Sequence, residues 1–457
     1  MDLMNGWNIK SRVYLIVSGW IVLYQWAFGQ YNTFSPFSRY GIGDVQENSL
    51  SYQKGMNNSG IALSVDTTAP VFINLLNPAS ISRLRLTVIE ANGYYFNTKI
   101  VNKENYKVQQ RSTNFSALAI GFPIKKHSGF CFGLMPYSFV GYQINQSNTV
   151  NNVGTVKYVY DGSGGLNKVF MMYGFEINRY FKKQDTVRKH IRELIKNLSF
   201  GINVHYIFGE LAQMGTVIYP NNSLYYNFVN DRRLRINGVS ADIGMQTYLL
   251  LNEKKNSRLN LGLVFSYPSF LKVINDYIAY NFSYTFYGEK YIVDTLIYKE
   301  EESGKLKLPS SVGLGLSYVV NNKWGINGDV RYTNWKGFQL LNSYESVRNN
   351  VECAIGGYYQ PDRFATGKGT FWDRVIYRAG IGYNSGYQEY QGKAVPLYSF
   401  SGGVSIPVGL YRSYSAVHIS VQYALKGHKD LVIRENIFKL NIGITLNDRW
   451  FVKYKYD

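Results

Sequence analysis

Past residue 83 the chain repeats a single pattern: short segments of alternating apolar and polar side chains, separated by breaks rich in Asn, Gly, Lys and Asp. In 311–320, Val312, Leu314, Leu316 and Tyr318 oppose Ser311, Gly313, Gly315 and Ser317. In 324–335, Trp324, Ile326, Val330 and Tyr332 fall on one face and Asn327, Asp329, Arg331 and Thr333 on the other. The same holds in 238–249, where Val239, Ala241, Ile243 and Met245 oppose Ser240, Asp242, Gly244 and Gln246, and in 438–446. A period of two sends successive side chains to opposite faces, which is the geometry of a strand and not of a helix. Mean hydropathy of −0.20, with no long apolar run beyond the first thirty residues, excludes a bundle of membrane helices. An aromatic content of 16% at only 17% charged residues excludes a disordered chain, and two cysteines exclude a disulfide scaffold.

A soluble sandwich and a membrane barrel share this alternation. The barrel is favoured by polar faces made of Gly, Ser, Thr and Asn, which suit a crowded lumen better than open water. Trp or Tyr near segment ends fits an aromatic girdle, and short breaks such as 321–323 and 447–448 contrast with long ones at 270–306 and 337–348. Lys10 and Arg12, the apolar stretch Val13 to Trp26 and the small residues Ala27 and Gly29 make 1–29 a secretory signal peptide, cleaved before Gln30. The expected organisation is a signal peptide at 1–29, an irregular plug at 30–83 and an all-β transmembrane antiparallel barrel of about fourteen strands at 84–457. The alternating tail 450–456 is either the closing strand or an extension after it.

Gly55-Met56, Ile61-Ala62-Leu63, Asp66 and the run from Phe72 to Ile81, with Asn77-Pro78-Ala79 inside it, resemble the N-terminal hatch of the FadL-like outer-membrane family. Gly313 to Tyr318, Asp329-Val330-Arg331-Tyr332 and Tyr377 to Tyr383 look like that family's later strands. Ser35 to Gly41 and Asn447 to Phe451 resemble its Bacteroidota branch. The resemblance implies a fourteen-stranded barrel with an N-terminal hatch in the cell outer membrane, taking up hydrophobic molecules towards a lateral opening. Asn77, Pro78 and Ala79 take the hatch-motif role; Ser80 follows them where the uptake channels usually have Gly. The same branch includes subunits of secretion or barrel-assembly machines, so the fold alone does not fix the function.

Catalysis finds no support in the residues. His205 shares a strand face with Asn203, and His418 with Ser420 and Gln422, but no orienting carboxylate or oxyanion loop accompanies either. No HExxH or GxSxG element is present, and the five scattered His make no metal site. No cofactor is implied. Asp242, Asp329, Arg331 and Arg378 fall on expected lumen faces, as a lumen charge network or as pairs that hold the plug. Cys131 falls on a lumen face and Cys353 on a lipid face, which forbids a disulfide between them. The net charge of +19 is spread, with concentrations at Lys182, Lys183, Arg188, Lys189, Arg192 and Lys196 and at Arg232, Arg233 and Arg235. An exported barrel meets lipopolysaccharide and outer-membrane lipid rather than nucleic acid, and basic rims suit those partners. The stretch 180–197 reads equally as a short amphipathic helix or a solvated loop.

Three functional readings follow. The first is a passive channel for a hydrophobic ligand, which requires a sizeable apolar pocket in the lumen. The second is a non-transporting subunit of an envelope-protein complex, which requires a tightly plugged lumen and offers the loops 270–306 and 337–348 as contact surfaces. The third, an exported soluble β-protein, requires the apolar faces to bury one another.

Overall fold

Alternating segments of this kind bury one face and present the other to lipid, and pairing every edge removes unpaired backbone from the bilayer. The computed structural model describes residues 33–65, 71–102, 104, 106–177, 194–220, 224–341, 347–362, 371–390, 392–408, 415–428 and 431–450. The signal-peptide reading and the tail beyond Trp450 lie outside these residues. Among the described residues, fourteen antiparallel strands form the wall. They are β1 (Thr87–Asn102), β2 (Lys107–Lys125), β3 (Ser128–Val150), β4 (Gly154–Glu176), β5 (Ser199–Ile218) and β6 (Asn227–Asn252). β7 comes in two pieces (Ser257–Ser266 and Phe270–Tyr284), as does β8 (Lys290–Lys307 and Ser311–Val320). β9 (Trp324–Thr333), β10 (Asn350–Tyr359), β11 (Ile376–Asn384), β12 (Leu397–Val408), β13 (Ser415–Lys426) and β14 (Ile433–Asp448) complete the set. Each pairs with its sequence neighbour, and β14 pairs with β1 from Asp448 opposite Thr87 to Ile433 opposite Asn102, which closes the barrel. The closing strand is therefore Ile433–Asp448, and the tail follows it.

The alternating segments read from the sequence coincide with β6, β8, β9 and β14. Leu314, Ile326, Ile355, Ile381, Phe400 and Ile442 are each at least half exposed on the outer face, while Ser317, Asn327, Gln422 and Asn441 beside them are buried on the inner one. A continuous belt of exposed apolar side chains on a closed barrel is a lipid-facing surface, not a soluble protein's exterior. The two inner sheets of a sandwich are absent from this wall, so the third reading falls.

The stretch 270–306 differs from expectation. It is no loop but the hairpin formed by the second piece of β7 and the first piece of β8, paired from Phe270 opposite Lys307 to Tyr284 opposite Lys290. Its β8 half is exposed on both faces, so nothing selects apolar–polar alternation there. Register shifts at Ile292/Asp294, Thr295/Ile297 and Lys299/Glu302 break what period remains. The wall is consequently uneven: β3 to β6 run 20 to 26 residues, whereas β9 to β11 run nine or ten. About ten tilted residues suffice to cross the hydrocarbon, so the longer strands rise above it on the side of the β3–β4 and β5–β6 connections, the outer side.

The second expected contact loop, 337–348, also differs in part. Trp335, Phe338 and Leu340 turn inward and are buried. Apolar weight of this kind is stabilised more by packing into the barrel mouth than by exposure to water.

Candidate functional site

The residues ahead of β1 lie inside the wall. Their local structure is short: a 3-10 turn at Pro36–Arg39, a two-residue strand Asp44–Val45, one helical turn at Ser51–Lys54 and a second 3-10 turn at Pro78–Arg83. Phe37, Ile42, Leu50, Tyr52, Met56, Leu63, Phe72 and Ile73 are all at most 1% exposed. A segment this irregular must satisfy its backbone polar groups without a ladder of its own, and side chains do it. Asn74 is the knot. Its Nδ2 donates to the carbonyls of Gly60 (2.8 Å) and Leu63 (2.9 Å), and its Oδ1 accepts from Gln53 Nε2 (2.8 Å) and the Leu76 N–H (3.0 Å).

The Asn77-Pro78-Ala79 motif begins the second 3-10 turn. Asn77 Oδ1 accepts the Ala79 N–H at 3.0 Å, which caps the turn, and its Nδ2 donates to the carbonyls of Ile61 and of Met245 on β6, both at 3.1 Å. Ser80, the departure from the uptake-channel pattern, donates its hydroxyl to the carbonyls of Asn77 (2.8 Å) and Asn74 (3.1 Å). A glycine there has no hydroxyl to make this tie. Arg83, 2% exposed, closes the segment: Nε donates to Glu176 at 2.9 Å and Nη2 to the Asn197 carbonyl at 2.7 Å.

The wall is shaped to receive this backbone. Lumen-facing glycines stand where the segment touches successive strands. A Cβ on Gly129 would strike the Ile81 carbonyl, one on Gly201 the Pro78–Ala79 peptide, one on Gly244 the Asn77 side chain, and one on Gly356 or Gly380 the Met56 backbone. These are the glycines that make the polar faces of the strands so rich in that residue. Their purpose is close backbone approach.

Of the charges expected in the lumen, Asp329 and Arg378 grip the inner segment directly. Asp329 Oδ2 accepts the N–H groups of Gly60 (2.6 Å) and Ile61 (2.9 Å). Arg378 Nη1 donates to the Ser51 carbonyl at 3.1 Å and to the Tyr52 carbonyl, Nη2 reaches Val404 O at 2.8 Å, and the guanidinium lies 4.8 Å from the Tyr52 ring centroid. Asp242 instead meets His205 Nε2 at 2.6 Å, and Arg331 lines the chamber above the segment. The structure thus brings Asp329, Arg378 and Asn77 onto one segment and leaves Asp242 and Arg331 apart from it. His418 bonds Ser405 and Thr445, both at 2.7 Å, as a packed lumen residue. Cys131 is buried in the lumen and Cys353 lies elsewhere; both are free thiols. Gln53, Asn74 and Glu90, which accepts the Ile73 N–H at 2.7 Å, escaped the sequence reading, because the partners that tie them into the fold lie 11 to 21 residues away and no motif marks them.

Above the segment lies a chamber of about 360 Å³. Its lining mixes Tyr94, Tyr137 and Trp335 with Asp44, Lys54, Lys168, Glu352 and Lys426, so it is no apolar pocket. Asp44 and Lys426 pair at 2.6 Å, and Lys54 Nζ donates to Ser116 Oγ. Burial pushes the Lys54 ammonium down to about 8, with the Lys439 charge adding to the effect and Glu47 opposing it. A second apolar core roofs the chamber, built from Ile42, Val140, Leu234, Ile236, Leu271, Val273, Trp335, Phe338 and Tyr387. Trp335 stacks on Tyr387 at 3.9 Å.

The wall has one irregularity at this height. β2 and β3 pair only between Leu118–Lys125 and Ser128–Leu134, although both run further outward. At Pro136, which has no N–H to give a ladder, the register slips and β3 turns inward, burying Ser138 to Tyr142. The inner segment supplies the missing edge: Asp44 and Val45 pair with Phe139 and Ser138, and the N–H groups of Gln46 and Ser35 donate to Tyr137 O and Gly141 O, each at 2.9 Å. Gly43, at φ 90°, lets the chain pass against the Phe139 carbonyl.

The basic run 182–192 lies outside the described residues; Lys196 alone of that cluster is described, exposed after β4. Arg235 pairs with Asp276 at 3.0 Å on the outer rim.

Comparison with known proteins adds two findings. The model of the BamG family matches residues 9–184 and 189–457. No curated protein matches the chain. Among solved structures, the CymD monoaromatic hydrocarbon channel is similar with TM-score 0.50 at 13% identity, covering 90% of this chain and 99% of CymD. A Pseudomonas aeruginosa FadL homologue gives TM-score 0.52 at 11% identity (89% and 100% covered), and the P. putida toluene transporter TodX gives 0.52 at 12% (89% and 100%). At these identities the likeness is one of fold: the barrel is FadL-like.

Proposed function

The chain belongs to the BamG family, and from that premise we propose that it is a plugged outer-membrane barrel serving as a non-transporting subunit of an outer-membrane machine of the secretion or barrel-assembly kind. The observation that carries this reading is the double closure of the lumen. The inner segment fills the lower half with its backbone against the wall glycines, and the Trp335–Tyr387 core fills the upper half. Between them lies a charged chamber. A hydrophobic solute gains roughly 25 cal/mol per Å² by entering an apolar site and gains little by displacing water from Lys54, Lys168 and Glu352. What such a barrel retains is its wall and its rims as surfaces for other proteins. The outer-membrane location, the export signal and the Bacteroidota placement from Ser35–Gly41 belong to the same proposal.

A second reading has an observation of its own. The gap between outer β2 and the bent β3 opens the wall sideways, as uptake towards a lateral opening requires. CymD, a monoaromatic hydrocarbon channel, and TodX, a toluene transporter, share this fold.

Native mass spectrometry of the protein extracted from its own outer membrane in mild detergent separates the two. The subunit reading expects a defined larger assembly with no hydrophobic ligand. A lone species of about 49 kDa, after loss of some thirty signal residues, carrying a bound hydrocarbon or lipid would overturn it in favour of the channel.

A further inference from the structure

Beyond the membrane the tall part of the wall ends in an open edge. The first piece of β7, Ser257–Ser266, already crosses the hydrocarbon, so the hairpin 270–307 stands above it on the outer side. Its β7 half is paired on both sides, with β6 through 227–237 and with β8 through 290–307. Its β8 half has β7 on one side only, because the next wall strand, β9, stops at Thr333. At the foot of that side the chain itself shows what the edge accepts. Gln339 and Leu340 pair antiparallel with Lys307 and Leu306, and the Leu341 N–H donates to Lys305 O at 3.1 Å. Above this point, among the described residues, no strand continues the ladder along 290–303.

A row of open N–H and C=O groups is a template for another extended chain, and proteins usually blunt it with a short or polar strand or a proline. This strand runs eighteen residues without a proline. Tyr291, Ile292, Val293, Leu296, Ile297 and Tyr298 on it are each between 37% and 65% exposed. The other upright edge of the tall strands, Gln143–Val150 on β3, is mostly Gln, Asn, Ser and Thr. The three bulges of β8 add twist to its edge without covering it. Lys299 meets Glu302 at 3.4 Å, Glu301 meets Arg235 at 3.7 Å and Lys290 donates to the Tyr280 hydroxyl at 2.8 Å, so these charges are engaged within the tall wall.

Two other occupants fit poorly. Lys299 and Glu300 to Glu302 keep the strand out of the hydrocarbon, so lipid tails do not cover it. Antiparallel pairing of the edge with its own copy needs a two-fold axis perpendicular to the sheet. The strands stand on the membrane, so that axis lies in the membrane plane and inverts the second barrel.

We infer that the β8 edge at 290–303 receives an extended segment of a different protein, paired main chain to main chain on the outer side and rich in β-branched or aromatic residues that match Ile292, Leu296 and Ile297. This rests on the subunit reading and names the surface and the form of the neighbour.

The test compares, by hydrogen exchange, the assembly extracted in mild detergent with the same chain refolded alone. The edge variant is Ile292→Lys, Leu296→Lys and Ile297→Lys; the control, at the hairpin tip, is Phe286→Lys and Tyr287→Lys. Heat-modifiable mobility on a gel certifies a folded barrel in each. Exchange over 290–303 should be about tenfold slower in the assembly than in the lone chain. The assembled fraction should fall about tenfold for the edge variant and hold for the control. An assembly in which 290–303 exchanges as in the lone chain overturns the inference and leaves the subunit reading standing. Slow exchange already present in the dilute lone chain overturns it as well, because this chain then covers its own edge. Slow exchange that appears in the lone chain only as its concentration rises overturns it in favour of a second copy. If wild type itself runs as a lone barrel, the inference and the subunit reading fall together.

Discussion

A single carboxylate oxygen, Asp329 Oδ2, holds two backbone N–H groups of the inner segment across 268 and 269 residues of sequence. Hydrogen bonds to a charged acceptor contribute about 1.5–3 kcal/mol each, and an orphaned buried donor costs about as much. Asp329→Ala should therefore lower stability by about 3 kcal/mol, and Asp329→Asn, which keeps one acceptor oxygen, by clearly less; urea unfolding in detergent measures both. The wall glycines predict a steric effect. Gly201→Val puts a branched side chain into the Pro78–Ala79 peptide and should prevent formation of the heat-modifiable barrel, whereas Gly328→Ala, with open space around it, should fold normally. Lys54 gives a pH signature. Its ammonium in the folded chain loses its proton near pH 8, against an ordinary value of 10.5. Between those values the unfolded state binds more protons, so stability should rise with pH across that window and be flat from this source below it. Lys54→Met should remove this contribution and make the rise shallower, read as the urea midpoint between pH 7.5 and 10.5.

At the level of elements, the bend in β3 and the strand Asp44–Val45 form one unit, fastened by the Asp44–Lys426 pair at 2.6 Å. Removing one partner of a largely buried pair leaves the other uncompensated. Asp44→Ala or Lys426→Met should each cost about 3 kcal/mol, with the double mutant well short of the sum. A fully additive double mutant would show the two charges to be independent. The same scale explains what the sequence could and could not reveal. β8, β9 and β14 were legible because each has lipid on one side and the packed lumen on the other, which imposes a period of two. The β7–β8 hairpin at 270–307 was not, because most of its β8 half is exposed on both faces and bulges interrupt its register. The Asn77 turn was visible as a motif. The Gln53–Asn74 knot was invisible, since its bonds join residues with no fixed spacing. The glycines were visible as composition, but their meaning needed the segment that lies against them.

For the whole molecule, the consequence of these contacts is that the inner segment and the wall share one core. Leu50, Tyr52, Met56, Phe72 and Ile73 cluster with Val88, Ala119, Cys131, Phe170 and Met172 of the strands. A barrel filled to this degree should conduct no ions, so the purified protein in planar bilayers should leave the baseline current unchanged, where a water-filled pore would give discrete steps. The shared core makes the segment a permanent part of the fold rather than a hatch that swings. Hydrogen exchange followed by mass spectrometry tests it most directly, comparing peptides covering 50–65 and 71–84 with those covering β8 and β9. The inner peptides should be as protected as the wall and lose protection with it on denaturation, as one cooperative unit. Inner peptides exchanging orders of magnitude faster while the wall stays protected would contradict it and return the molecule to the moving hatch of a channel.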